Sequence, residues 1–147
     1  MSIFETLEIS GSAMAAQRQR AEVVAANMAN ADTTRTSEGG PYRRKEVVFA
    51  SSGNSPFKLL LAGIRRLAGR PTPAVRVARV VNDPAPPMMR YEPGHPDADK
   101  NGYVAYPAIN PIAEMVDLMG AVRSYQLNAA AVSATKQMIQ GSMDILK

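Results

Sequence analysis

The 147-residue chain has no cysteine, no tryptophan and a single histidine. The absence of cysteine excludes disulfides and any metal site with a cysteine ligand. Aromatic residues make up only 5% of the chain, although 46% of its residues are hydrophobic. The apolar mass is therefore mainly aliphatic, which favours long helices over a large packed β core. The length suits one domain, or one domain with a small insertion.

Long apolar runs are also missing. Residues 1–30 do not combine a basic start with an unbroken apolar stretch, so they predict no secretory signal. No segment approaches the roughly 20 apolar residues that a membrane-spanning helix needs. We therefore expect no membrane insertion, and we expect any export from the cytoplasm to proceed without a cleaved signal peptide.

The C-terminal segment, residues 112–147, carries a heptad seam of apolar residues. Asn110 can cap its first turn and Pro111 suits the first helical position, so a helix is predicted to begin there. At about 1.5 Å per residue this helix would be roughly 54 Å long, which requires a long partner. Lys136 is the one interruption of the seam. Its apolar members are Met115, Leu118, Val122, Tyr125, Ala129, Val132, Ile139, Met143 and Leu146.

The N-terminal segment carries a matching seam, interrupted by Ser10 and Gln17. Ser2 and Glu5 have the spacing of a capping box, which marks the helix start. The apolar members of this seam are Ile3, Leu7, Met14, Ala21, Val24 and Met28. Two long terminal segments with matching seams predict an antiparallel, coiled-coil-like helical hairpin. In the register that we infer, Gln17 lies near Lys136 in one polar layer.

The middle of the chain differs from both ends in charge and in pattern. Residues 43–90 hold ten of the seventeen basic side chains and only two acids, whereas both flanking segments are mildly acidic. Short alternating runs predict strands over 45–50, 74–82, 88–91 and 102–106, and a leucine-rich run predicts a short helix over 57–69. The predicted class is therefore α+β. Residues 1–31 and 110–147 would form a helical assembly domain, and 32–109 an inserted β-rich module.

Three blocks of residues together resemble the flagellar basal-body rod proteins. The Thr-Thr-Arg-Thr run in the first block is similar to that of the proximal rod subunits in this family. The third block contains Asn110-Pro111, Glu114 to Asp117, Arg123 to Tyr125, Asn128 and Thr135-Lys136. Residues 51–73 depart from the family pattern. The motif residues of the first two blocks are Asn27, Asn30, Thr33, Thr34, Arg35, Gly40, Pro41, Tyr42, Arg43, Gly94, His95, Pro96, Asp97, Asp99, Gly102 and Tyr103.

The resemblance implies a structural subunit of the periplasm-spanning rod that serves motility. Its terminal helices would pack side by side with neighbouring copies and with other flagellar rod subunits. It would reach the rod through the flagellar type III export apparatus, with no cofactor and no catalytic activity. Buried seam residues, each contributing roughly 1.5–3 kcal/mol, would stabilise such an assembly.

Alternative functions follow from individual features. The run from Asp97 to Gly102 begins like a calcium-binding EF-hand loop, but its twelfth position is Ala108 rather than a glutamate. The basic stretch 43–90 suggests a module that binds nucleic acid or an acidic polymer, although no stacking aromatics are interleaved with its arginines. Neither helical arm has the basic polar face of a membrane-surface helix. His95 has no partner at a spacing that supports catalysis.

Overall fold

The computed structural model describes residues 3–51 and 74–145. The described elements form two long helices with short strands between them, which confirms the predicted α+β class. Their bounds in chain order are α1 (Ile3–Ala29), β1 (Lys45–Ser51), β2 (Val75–Asn82), β3 (Met88–Tyr91), β4 (Tyr103–Tyr106) and α2 (Pro111–Ile145).

Helix α2 begins as its sequence predicts. The side-chain oxygen of Asn110 accepts hydrogen bonds from the amides of Ile112 at 3.0 Å and Ala113 at 3.4 Å. Pro111 occupies the first helical position, where no amide hydrogen is needed. The helix has 35 residues, a length of about 52 Å at about 1.5 Å per residue. The predicted capping box of α1 lies partly outside the described residues, because Ser2 is not among them.

The strands form two small sheets, β1 with β2 and β3 with β4. Strands β3 and β4 pair antiparallel, with Met88 opposite Tyr106 and Tyr91 opposite Tyr103. All four predicted strands are present, with ends that shift by at most one residue. The predicted helix over 57–69 lies outside the described residues.

The chain divides into two compact units, and both helices contribute to each. One unit comprises Met1–Gln19, Phe49–Ala78 and Ala121–Lys147, and the other comprises Arg20–Val48 and Arg79–Gly120. We call them the first and the second unit. The division into a helical domain over 1–31 and 110–147 and a β module over 32–109 stays a prediction.

In the first unit, the buried side chains among the described residues are small. Those of Ser10, Ala16, Ala121 and Thr135 are each at most 5% exposed. The Thr135 hydroxyl donates to the carbonyl of Ala131 at 2.8 Å, so its burial leaves no unpaired donor. Small side chains remove little apolar area from water. These four side chains therefore contribute less hydrophobic energy than leucines at the same positions would.

The second unit holds larger buried apolar side chains, and the most deeply buried polar groups, of the part of the chain that the structure describes. Val24, Val104 and Ile109 are at most 8% exposed. Beside them lie Asn27 and Glu114, at 0% and 1% exposed. Buried amides and carboxylates persist in proteins only when their hydrogen-bonding groups are satisfied. The second unit is therefore where the structure must explain its polar residues.

Candidate assembly site

Asn27 joins helix α1 to the start of strand β1 through both ends of its side-chain amide. Its Nδ2 donates to the backbone carbonyl of Lys45 at 2.8 Å, and its Oδ1 accepts from the Lys45 amide at 2.9 Å. The same Nδ2 donates to Glu114 at 3.0 Å, and the same Oδ1 accepts from the Tyr42 hydroxyl at 3.2 Å. Two donors and two acceptors are the full capacity of an asparagine amide. Asn27 therefore acts as the backbone partner that β1 lacks on this side.

Glu114 brings helix α2 into the same network. Its Oε1 accepts from the Nε of Arg44 at 2.6 Å, while its Oε2 accepts from Asn27. The guanidinium of Arg44 also contacts Glu46, and it lies 3.5 Å from a carboxylate oxygen of Asp83. The amide of Asp83 donates to the carbonyl of Arg44 at 2.7 Å, so the end of β2 lies beside the start of β1. The network connects both helices and both strands of the first sheet.

Two pKa values reflect this environment. Burial, and then the negative charge of Glu114, raise the pKa of the Tyr42 hydroxyl above its usual 10.0. Burial by itself would lower the pKa of Arg44, but its hydrogen bonds to Glu114 and Glu46 outweigh that effect and raise it. Tyr42 is thus held in its neutral form and Arg44 in its charged form, as the hydrogen bonds require.

A more exposed ion pair also connects the two helices within the second unit. The Nη2 of Arg20 lies 3.1 Å from the Oδ1 of Asp117, and their side chains are 32% and 44% exposed. Together with the Asn27–Glu114 contact, this pair makes the helices antiparallel there. The predicted polar layer of Gln17 and Lys136 is wrong in this structure. The Oε1 of Gln17 is buried without a hydrogen-bond partner, and Lys136 is exposed.

The family-motif loop after α1 is organised by its own polar residues. Asn30 donates through Nδ2 to the carbonyl of Ala26 at 2.9 Å, and its Oδ1 accepts from the hydroxyl of Thr33 at 3.2 Å. Gly39 and Gly40 have φ values of 87° and 76°, a region that side chains with a Cβ rarely adopt. These two glycines therefore allow the tight turn that returns the chain toward β1.

The structure brings the first motif block against the second. The hydroxyl of Thr34 donates to the Oδ2 of Asp97 at 2.8 Å, and the guanidinium of Arg35 lies 3.7 Å from its Oδ1. These residues are 63 and 62 positions apart in sequence. The Thr34–Asp97 hydrogen bond contributes most of the stabilisation here. The Arg35–Asp97 ion pair contributes little, because the Arg35 side chain is 79% exposed.

Asp99 and Gly102 form the turn before β4. The Oδ1 of Asp99 accepts from the amides of Asn101 at 2.8 Å and Tyr103 at 2.9 Å. Gly102 has a φ of 81°, and a Cβ there would lie 2.9 Å from the Tyr91 ring. The carboxylate of Asp99 is thus used by its own turn, an Asx arrangement that explains the calcium-loop-like residue pattern. Among the described residues, no cluster of acids and histidines could hold a metal ion.

His95 contacts Tyr106, the last residue of β4. Their rings meet edge to face with centroids 6.3 Å apart. The Tyr106 hydroxyl donates to Glu92 at 2.9 Å, a hydrogen bond that raises the pKa of the phenol. The Nδ1 of His95 accepts from the amide of Asp97 at 3.1 Å, and Arg90 lies 4.6 Å above the Tyr106 ring. His95 therefore holds the turn that presents Asp97 to the first motif block.

The predicted seam of α1 largely coincides with its buried side. Val24 is buried, and Leu7, Met14, Ala21 and Met28 are half-buried, whereas Ile3 is 42% exposed. In α2 the buried side runs one residue ahead of the predicted seam, through Glu114, Ala121 and Thr135. The seam residues Leu118, Ala129, Val132 and Ile139 are half-buried, and Met115, Val122, Tyr125 and Met143 are exposed. Leu146 lies outside the described residues.

Large apolar side chains are exposed along α2. In the second unit they follow helical spacing and form a stripe, which we call the α2 stripe, of Ile112, Met115, Val116 and Met119, each at least 53% exposed. In the first unit the exposed apolar residues of α2 include Leu127 at 65% and Met138 at 57%, and α1 exposes Phe4 at 76%. An exposed apolar stripe such as the α2 stripe is typical of an interaction site.

The sequence interpretation gave no role to several residues that the structure joins. In the sequence, Arg44 and Asp83 lie within the stretch 43–90, and Arg44 and Glu114 lie within two of the motif blocks, with no further role assigned to any of the three. One signal was available. Glu114 is an acid in the otherwise apolar first turn of α2, where an unpaired charge would be costly if buried. Its partners could not be identified, because they lie 70 and 87 residues away.

Comparison with known proteins agrees with the long paired helices and the motif loops. A family profile described as "Flagella basal body rod protein" matches residues 7–35, and one described as "Flagellar basal body rod FlgEFG protein C-terminal" matches residues 100–145. The chain belongs to the flagellar basal-body rod protein family. Such a protein is a structural subunit of the bacterial flagellar basal body, where it associates with other rod components.

Within this family, FlgC proteins are similar to this chain over nearly their full length. The chain is 40% identical to flagellar basal-body rod protein FlgC of Bacillus subtilis over 151 residues, covering all of both proteins. It is 40% identical to FlgC of Salmonella typhimurium, covering 95% of this chain and 94% of the relative. FlgC of Borreliella burgdorferi is 35% identical, covering 100% and 99%. These comparisons give no support to the nucleic-acid alternative. No helix within the described ranges is long and apolar enough to cross a membrane.

Proposed function

We propose that the chain is built into the proximal part of the rod by its terminal helices, which pack against neighbouring copies and against other rod subunits. The observation that carries this proposal is the α2 stripe. Its four side chains are 53–76% exposed, although all four are apolar. Burying each of them against a neighbour would contribute roughly 1.5–3 kcal/mol.

The buried network supports the same proposal from inside the subunit. Asn27, Arg44 and Glu114 hold α1, β1 and α2 in one arrangement within the second unit. A subunit that repeats in a regular assembly must present the same surface each time. The network therefore serves to fix the α2 stripe on a defined support, while the stripe supplies the contact energy.

The route to the rod belongs to the proposal as well. A subunit of the periplasmic rod must leave the cytoplasm. The flagellar type III export apparatus is the route that we propose. The assembly seam predicted from the sequence stays a prediction. Its exposed members are the ones that a neighbouring subunit would cover, namely Ile3, Met115, Val122, Tyr125 and Met143.

Substitution within the α2 stripe tests the proposal. Met119→Glu places a charge where a neighbour would bury it, so we expect loss of swimming and loss of the subunit from purified basal bodies. Gln126→Glu adds the same charge at an exposed polar position of the same helix and should leave both unchanged. Both variants should unfold at the same temperature as the unmodified chain, because both sites are exposed. Normal incorporation of the Met119→Glu subunit would refute the proposal.

A further inference from the structure

At the start of β1, one positively charged side chain faces the interior and its two sequence neighbours face solvent. Arg44 faces inward, where Glu114, Glu46 and Asp83 surround it. Its sequence neighbours Arg43 and Lys45 are exposed. Alternation along an extended backbone places these two on the side opposite Arg44.

Neither of these two cations is neutralised. Among the residues that the structure describes, Arg43 and Lys45 form no ion pair, and the Nζ of Lys45 lies 5.8 Å from the centre of the Tyr42 ring. Arg44, which lies between them in sequence, has three acidic partners instead. Within the described part of the chain, neither Arg43 nor Lys45 thus has an acidic partner, although the Lys45 ammonium lies over the Tyr42 ring.

Both cations line one groove of the second unit. The groove has a volume of about 250 Å³, and Thr36, Ser37 and Asn82 are among the residues that line it. The Thr36 hydroxyl already donates to the carbonyl of Gly40. Glu38 lines it too, so two positive charges oppose one negative charge. Hydroxyl and amide groups can donate hydrogen bonds to an anion that the cations attract.

The dimensions and composition favour a carboxylate over a nucleic acid. Pockets that hold a drug-sized ligand usually exceed about 300 Å³, so this groove suits one or two side chains. Single-stranded nucleic acid is bound by aromatic rings on which bases stack. Tyr42 is the one aromatic residue in the groove wall, and Lys45 already lies over its ring. The guanidinium of Arg43 matches the geometry of a carboxylate, which can accept two hydrogen bonds from it, and Lys45 adds a second positive charge.

We propose that the groove of Arg43 and Lys45 is a docking site for an acidic peptide segment, with a glutamate or aspartate side chain seated between the two cations. The source that we assign is a neighbouring rod subunit, and that part rests on the proposed function. The binding of a carboxylate-bearing peptide by the isolated full-length chain does not depend on it. Glu38 tunes the site, since its charge opposes the ligand.

The test uses the full-length chain and a peptide of six glutamates, with binding followed by calorimetry at low salt. We expect a measurable dissociation constant that weakens by about tenfold or more in the double variant Arg43→Gln, Lys45→Gln. Arg76→Gln removes one exposed positive charge outside the groove and should change binding less than twofold. Glu38→Gln should tighten binding. A hydrogen-exchange or circular dichroism comparison establishes that each variant is folded.

Each other outcome overturns the assignment. Absence of peptide binding, or equal binding by the double variant, would show that the groove is not an acidic-peptide site. If six-nucleotide single-stranded DNA binds as tightly as the peptide and depends on the same two cations, the ligand class is wrong. These results are independent of rod assembly, because the measurement is made on the unassembled chain. Loss of assembly in Met119→Glu with peptide binding retained would separate the two proposals.

Discussion

The sharpest prediction concerns the buried carboxylate of Glu114. Its two oxygens accept from different donors, Oε1 from Arg44 at 2.6 Å and Oε2 from Asn27 at 3.0 Å. The substitution Glu114→Gln keeps the shape but replaces one acceptor with an NH₂ group. Whichever way the new amide turns, a donor faces a donor. Arg44 also loses the counter-charge that is 1% exposed.

The magnitude follows from burial. Removing one member of a buried ion pair costs about 3–5 kcal/mol. Arg44 keeps Glu46 and Asp83 and its side chain is 20% exposed, so we expect the lower part of that range, about 3 kcal/mol. For a chain of this size, about 3 kcal/mol lowers the melting temperature by roughly 6–12 °C.

Asp117→Asn is the matched control. Asp117 lies on the same helix as Glu114, and its carboxylate also pairs with an arginine, Arg20 of α1. Both partners there are about one-third or more exposed, so the loss should be at most about 1 kcal/mol. The assay is thermal and urea unfolding of the full-length chain, followed by far-ultraviolet circular dichroism. Equal destabilisation by the two substitutions would refute the reasoning, since it would show that burial of Glu114 has no energetic consequence.

Two further predictions concern other residues of the motif loops. The pKa of Tyr42 is raised in the folded chain, so its stabilising effect is complete below about pH 10 and is lost as pH rises through the folded value. Tyr42→Phe should therefore lose less stability than the unmodified chain as the pH rises above about 10; an unchanged pH dependence would contradict this. Gly102→Ala would place a Cβ 2.9 Å from the Tyr91 ring at a φ of 81°, which we expect to cost about 1–3 kcal/mol in urea unfolding. Gly94→Ala is the control, because a Cβ there meets nothing within 4 Å; the Gly102 prediction fails if both substitutions cost the same.

The placement of the α2 seam shows the limit of periodicity. Two stripes offset by one residue, one through Met115 and Val122 and one through Glu114 and Ala121, have the same heptad spacing. Counting apolar residues selects the first stripe, but the structure buries the second within the chain. In a subunit that assembles, the more apolar stripe need not be the one that faces its own chain. Sequence spacing cannot distinguish these two destinations.

The amino-acid sequence by itself determined the elements of this protein. The heptad pattern, the Asn110-Pro111 start and the alternating runs are local signals, and local hydrogen bonding and sterics decide what they become. Only the tertiary structure decided the partners. Asn27, Arg44 and Glu114 lie in three distant segments, and their hydrogen bonds exist only after the chain has folded. The register of the helices in the second unit also depends on these contacts. The buried carboxylate of Glu114 must lie beside its two donors, even where the apolar pattern predicts another register.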